Sequence, residues 1–157
     1  MVIPDFPISK YFSFYEAVDT SLEAYQQEND NLAVPVLYVM TDFYREIVDA
    51  AREALGGPLW VSSGFRCPAL NGAVGGMPTS KHCLGIAADV FQHGWDWEKC
   101  LTAANLIALY FDSKGLTADI VAEKRPDGKT WIHIERNDTL RLFTGIDRVY
   151  VQVEFKA

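Results

Sequence analysis

The chain has 157 residues but only three cysteines, Cys67, Cys83 and Cys100. That is an odd number with no Cys-x-x-Cys pair, which excludes a disulfide framework and a thiolate zinc site. The cysteines are expected to be reduced and structural. Cys83 directly follows His82, but adjacency alone does not make it a ligand. No apolar run reaches the ~18 residues needed to span a bilayer, so no membrane partner is expected. The opening residues, MVIPDFPISKYFSFYEA, lack a basic region followed by an apolar core. A signal peptide is therefore not expected, and synthesis in the cytoplasm is. Basic charge is also scarce: 14 Lys and Arg stand against 21 Asp and Glu, for a net charge of -7. That sets nucleic acid aside as a partner and disfavours electrostatic docking on anionic polymers. Gly75-Gly76 lacks the following Lys-Ser or Lys-Thr of a phosphate loop and reads as a tight bend. Repeats, low-complexity tracts and linkers are absent too.

What remains is enough for one domain over residues 1–157, with 49% hydrophobic residues to fill a core. Ser13 and Glu16 have capping-box spacing, so a helix is expected from there to about residue 28. Asn29-Asp30-Asn31 reads as a turn. Leu37, Met40, Phe43, Ile47 and Ala51 recur at helical spacing, predicting a longer helix over 34–55 that Gly56-Gly57 ends. Strands are expected over 59–62 and 86–91, with a Pro- and Gly-bearing segment over 67–76 holding one helical turn. A third helix fits 95–111, with Lys114-Gly115 closing it. Segments 118–124 and 130–136 flank Asp127-Gly128, a strong hairpin signal. The alternation in RVYVQVEF predicts a last strand over 148–155. The fold class is α+β, with N-terminal helices packed on a central antiparallel sheet that carries the site.

The chemistry concentrates between Ser62 and Asp89, in SSGFRCPALNGAVGGMPTSKHCLGIAAD. His82 and Asp89 are potential metal ligands seven residues apart, with Gly85 available for the turn between them. His133, in Trp131-Ile132-His133, is a third. Two imidazoles and a carboxylate, with a fourth position left to water, is the ligand set of a catalytic zinc site. His93 carries no such context and reads as structural or merely exposed. Trp95 and Trp131 read as packing residues.

SGFR, then GG, then S-x-H-x-x-G-x-A-x-D, then W-I-H resemble the zinc D-Ala-D-Ala carboxypeptidases and their phage endolysin relatives. The wider superfamily includes lysostaphin-type peptidases and the hedgehog signalling domain. The resemblance runs from about Tyr11 to Glu135. It implies Zn2+ held by His82, Asp89 and His133. It implies an Arg66 that stabilises the oxyanion of the transition state, and a Ser80 beside the metal, both facing the substrate. The implied substrate is a peptide stem or cross-link of bacterial peptidoglycan.

The family also uses a general base. Some members place a glutamate three residues before the last histidine ligand, which is Thr130 here. Others place a histidine two before it, which is Trp131 here. Many relatives end the preceding strand with a glutamate six before, which is Asp127 here. The segment 118–123 resembles that strand and ends in Glu123. If the loop is Asp127-Gly128-Lys129, Glu123 faces His133 across the hairpin. Glu123 is the expected base. Glu135 shares the face of His133 and is the reserve, and Asp127 comes third. The resulting expectation is a zinc peptidoglycan peptidase, acting at the wall after release or within a virion. The rivals are a zinc-bearing binding module without chemistry and a structural component of a virion or wall complex.

Overall fold

The computed structural model describes residues 2–156. The capping box forms as its spacing predicts. Ser13 Oγ accepts from the Glu16 N–H, and the Glu16 carboxylate accepts from the Ser13 N–H. The helix it starts, α1 (Phe14–Val18), is short. A 3-10 turn, Glu23–Tyr25, then leads into α2 (Gln26–Ala33). The expected single helix to residue 28 is thus two pieces, and the expected turn at 29–31 lies inside α2. Local composition favours a turn there, but Asn29 is fully buried and its amide bonds to distant backbone. Tertiary contacts override the local signal.

The long helix over 34–55 is present with one irregularity. It begins as a 3-10 turn (Val34–Val36), continues as α3 (Leu37–Phe43), widens into a π segment (Tyr44–Val48) and ends as α4 (Asp49–Leu55). Gly56 closes it in the left-handed region at φ 66°. Next come β1 (Trp60–Ser63), α5 (Pro68–Ala73), a 3-10 turn (Lys81–Leu84) and β2 (Ala87–Phe91). Helix α6 (Trp97–Lys114) is capped by Asp96, whose side chain accepts from the Lys99 N–H. Four strands complete the chain: β3 (Asp119–Lys124), β4 (Thr130–Glu135), β5 (Arg141–Ile146) and β6 (Val149–Val153).

These strands form one sheet in the order β1-β2-β4-β3-β5-β6. The α+β class holds, but the sheet is mixed rather than wholly antiparallel, because β3 and β5 run parallel. The reason is topological. The outer edge of β4 is taken by β2, so the returning chain pairs with the free edge of β3 instead. The sequence pattern predicted neither strand β5 nor the 3-10 turn at Lys81–Leu84.

The sheet has two different faces. Ala88, Val90, Ile120, Ala122, Ile132 and Ile134 are buried in one core with Cys100, Ile107 and Phe111 of α6 and Met40, Phe43 and Ile47 of the long helix. The alternate residues, Asp89, Glu123 and His133, project from the opposite face. Cys67 and Cys100 are buried and Cys83 is half-buried, all as free thiols. No helix among the described residues is long and apolar enough to cross a membrane. Ile120 is wholly buried. Ile120→Ala should therefore cost about 2–5 kcal/mol, read as a lower urea midpoint at unchanged m-value.

Candidate active site

Pairing of β2 with β4 sets Asp89 directly opposite His133. His133 Nδ1 lies 2.8 Å from Asp89 Oδ1. His82 comes from the 3-10 turn ahead of β2, and its Nε2 lies 3.5 Å from the same oxygen. Ser80 caps that turn by accepting from the His82 N–H at 3.2 Å, and Gly85 ends it at φ 77°. Gly85 is needed twice over, because a Cβ there would also stand 3.3 Å from Met40 Cβ. His82 Nδ1 is 2.7 Å from the Gly64 carbonyl. A carbonyl only accepts, so Nδ1 carries a proton and Nε2 is the nitrogen turned toward Asp89. One ligand atom each from His82, Asp89 and His133 lies within 4.8 Å of the others. This donor set fits a divalent metal such as zinc.

The far nitrogen of His133 is also fixed. Nε2 lies 2.8 Å from Glu135 Oε1, and Glu135 Oε2 lies 3.0 Å from Lys81 Nζ. A carboxylate on the outer nitrogen is the usual orienting partner of a metal-binding imidazole. Burial alone would raise the Asp89 carboxyl, but His82 and His133 outweigh it and hold Asp89 well below the usual carboxylate range. Burial opposes charge on His133, yet Asp89 and Glu135 overcome it and raise the imidazole to about 10. Burial likewise opposes ionised Glu135, but His133 and then Lys81 bring it down to about 2. These groups form ion pairs, and a metal held by His82, Asp89 and His133 would take the place of the proton on His133.

Arg66 sits on the other side of Asp89. Its guanidinium donates to Ser63 Oγ at 2.9 Å, to Asn71 Oδ1 at 3.3 Å and to Asp89 Oδ2 at 3.3 Å. The loop that carries it is held by a residue sequence reasoning did not single out. Asn29 donates to Val18 O at 2.7 Å and to Phe65 O at 3.0 Å, and its Oδ1 accepts from the Cys67 N–H at 2.7 Å. Phe65 and Cys67 flank Arg66, so one buried amide clamps both sides of it. Gly64 is the second such residue. A Cβ there would collide with the Ala17 carbonyl. Its signal was visible, since it is the glycine of SGFR.

Beyond His133 the face opens into a cleft of about 290 Å³ that Glu123, Val121, Glu135, Phe143 and Tyr150 also line. The expected register is corrected here. Glu123 pairs with Trp131, and Val121 is the residue opposite His133. The connection is the five residues between Lys124 and Thr130, not three. The resulting offset is two residues, an even number, so Glu123 keeps the face of His133. Glu123 is 6% exposed. Tyr150 Oη donates to Glu123 Oε1 at 2.9 Å, and Arg125 Nη1 lies 3.6 Å from the same oxygen. Burial, aided by the Asp89 charge, raises the Glu123 carboxyl against the opposing effects of Tyr150, His133 and Arg125.

The other two carboxylates are placed differently. Glu135 is occupied by His133 and Lys81. Asp127 stands exposed at the hairpin tip, where its Oδ1 accepts from the Lys129 N–H at 3.0 Å. His93 lies outside the cluster, its ring 4.3 Å from that of Trp60. Trp131 lies under the Arg125 guanidinium at 4.9 Å. Asn29→Ala would strand the Phe65 carbonyl and the Cys67 N–H, while the Val18 carbonyl keeps its bond from Gln26. It should cost at least about 2 kcal/mol in thermal unfolding. Metal affinity should also weaken about tenfold as the Arg66 loop loosens, measured by metal titration.

No curated protein is similar enough to the chain to count as a match. Among protein families, that of Peptidase M15 matches residues 20–122, about two thirds of the chain. The match takes in Arg66, Ser80, His82 and Asp89 and stops one residue short of Glu123. With that match joined to the His–Asp–His cluster, the chain belongs to the peptidase M15 family.

Proposed function

We propose that the protein is a zinc-dependent peptidase that hydrolyses peptide bonds of bacterial peptidoglycan, as a DD-carboxypeptidase or an endopeptidase. The observation that carries this reading is the convergence of His82, Asp89 and His133 beside a cleft that a buried Glu123 also lines. A zinc ion held by these three residues supplies a Lewis acid for the scissile carbonyl and acidifies water to a pKa of roughly 7. Glu123 takes a proton from the attacking water and hands it to the leaving amine. Arg66 has donors left after binding Ser63, Asn71 and Asp89. They meet the developing oxyanion, an interaction worth roughly 3 kcal/mol by analogy with other oxyanion donors. Ser80 holds the His82 turn through its oxygen, which leaves its hydroxyl proton for the substrate. Action at the cell wall, reached after release or in a virion, and a part in phage-encoded lysis belong to the same proposal.

One observation favours a second reading, a zinc-bearing binding or structural module without chemistry. Thr130 and Trp131 occupy the positions where some relatives carry their base. Mass spectrometry of peptidoglycan fragments incubated with zinc-loaded protein separates the two. A chelator-sensitive mass change supports the peptidase, and the new termini name the bond. Intact fragments of every cross-link type, with zinc bound, would establish the inert module.

Two variants test the assignments. Glu123→Gln should keep its zinc and lose about 10²–10⁴-fold in turnover. His133→Ala should lose zinc and activity together, and an unchanged zinc content would remove it from the ligand set. The pH profile has a definite sign. The base works ionised, so kcat/KM falls as the pH drops through the Glu123 pKa. Burial raises that carboxyl, so the acidic limb should lie above the ordinary glutamate value of about 4.3.

A further inference from the structure

Four strands contribute one transverse row to the site face. Trp131 of β4 stands opposite Glu123 of β3, Glu123 beside Gly145 of β5, and Gly145 opposite Tyr150 of β6. Gly145 has no side chain, and the Tyr150 ring fills the space above it. A Cβ at Gly145 would lie 2.5 Å from Tyr150 Cε1 and 3.3 Å from Glu123 Oε1. The glycine therefore opens the path by which a tyrosine two strands away reaches the glutamate.

The turn fixes this placement. Ile146 pairs with Val149, leaving Asp147 and Arg148 as a two-residue connection, both at positive φ (49° and 67°). Positive φ at both central residues is the hairpin geometry that matches strand twist and sets register. Here it sets Tyr150 against Gly145. At the carboxylate, Tyr150 and Arg125 both approach Oε1. Among the described residues no hydrogen bond or ion pair reaches Oε2, and Glu123 lines the cleft together with His133.

We propose that Tyr150 is a positioning residue for Glu123: it reaches across Gly145 and holds one carboxyl oxygen, so that the other is presented to the cleft beside His133. The inference rests on the reading of Glu123 as general base. Tyr150 touches neither substrate nor metal in this role. It fixes the rotamer of the base, and its hydroxyl favours the ionised form through a charge-assisted hydrogen bond.

The test combines three variants with two readouts. The first readout is the pH profile of kcat/KM on peptidoglycan fragments with zinc-loaded protein. The second is the titration of the Glu123 carboxyl by carbon-13 NMR in metal-free protein, which needs no turnover. Tyr150→Phe keeps the ring over Gly145 and removes only the hydroxyl. It should bind zinc as before, lose about tenfold in kcat, and move both the acidic limb and the NMR midpoint to higher pH. Gly145→Ala, which displaces the ring, should reproduce that pattern. A Tyr150→Phe protein whose kcat, acidic limb and NMR midpoint match those of the parent overturns the proposal. Glu123→Gln separates this failure from that of the underlying reading. If Glu123→Gln is inactive while Tyr150→Phe is unchanged, only the role of Tyr150 falls. If Glu123→Gln turns over normally, the base assignment falls and the Tyr150 role falls with it.

Discussion

The site depends on the register between β2 and β4. Asp89 and His133 meet because they are paired across two antiparallel strands, and nothing local to either residue would bring them together. The same register sends Ala88, Val90, Ile132 and Ile134 into the core. A slip of one residue would put the ligands in the core and these apolar side chains in solvent. Each large apolar side chain resists that exposure by about 1.5–3 kcal/mol. The apolar face thus enforces the geometry of the polar one. The core positions the site although no core side chain belongs to it.

Holding that many charges on one buried surface demands an ordered arrangement. Arg66, Asp89, His133, Glu135 and Lys81 follow one another with alternating sign, each within 3.3 Å of the next. An unpaired charge at such depth would cost several kcal/mol, and the alternation leaves none. It also explains why the outer members matter. Lys81 and Arg66 touch no shared metal position, yet each neutralises a carboxylate that would otherwise repel its neighbour across His133. The supports beneath them are backbone groups. Gly64 offers its carbonyl to His82, and Asn29 clamps the segment that presents Arg66. One imidazole, that of His82, and one guanidinium are thereby fixed by atoms that have no charge of their own.

The parts of this arrangement that could be read from the sequence were those whose spacing is local. The turn at Gly85 between His82 and Asp89, the strand with Asp89 and the capping box at Ser13 all follow from residues a few positions apart. Asn29 could not be read in that way. Its partners lie 11 to 38 positions away, and in isolation Asn-Asp-Asn looks like a turn. The hairpin register failed for a different reason. Turn residues signal that a hairpin exists, but the length of its connection depends on which pairs close first. Here Lys124 and Thr130 close it around five residues. Glu123 stayed in the cleft only because the offset was even.

Strand β5 escaped notice because Gly145 interrupts its pattern, and glycine in a strand interior weakens the strand signal. That interruption is also what β5 contributes. Because β3 and β5 run parallel in register, the glycine falls beside Glu123 and not beside Val121 or Asp119. Any other residue at that position would place a side chain between the glutamate and β6. A larger strand former would have made β5 legible and closed the approach of Tyr150. The weak point of the strand and the opening to the carboxylate are the same missing Cβ. Isolated glycines within strands often mark a close approach of another group. Here the approaching group is a phenol, and the carboxylate it reaches lies one residue beyond the reach of the family match.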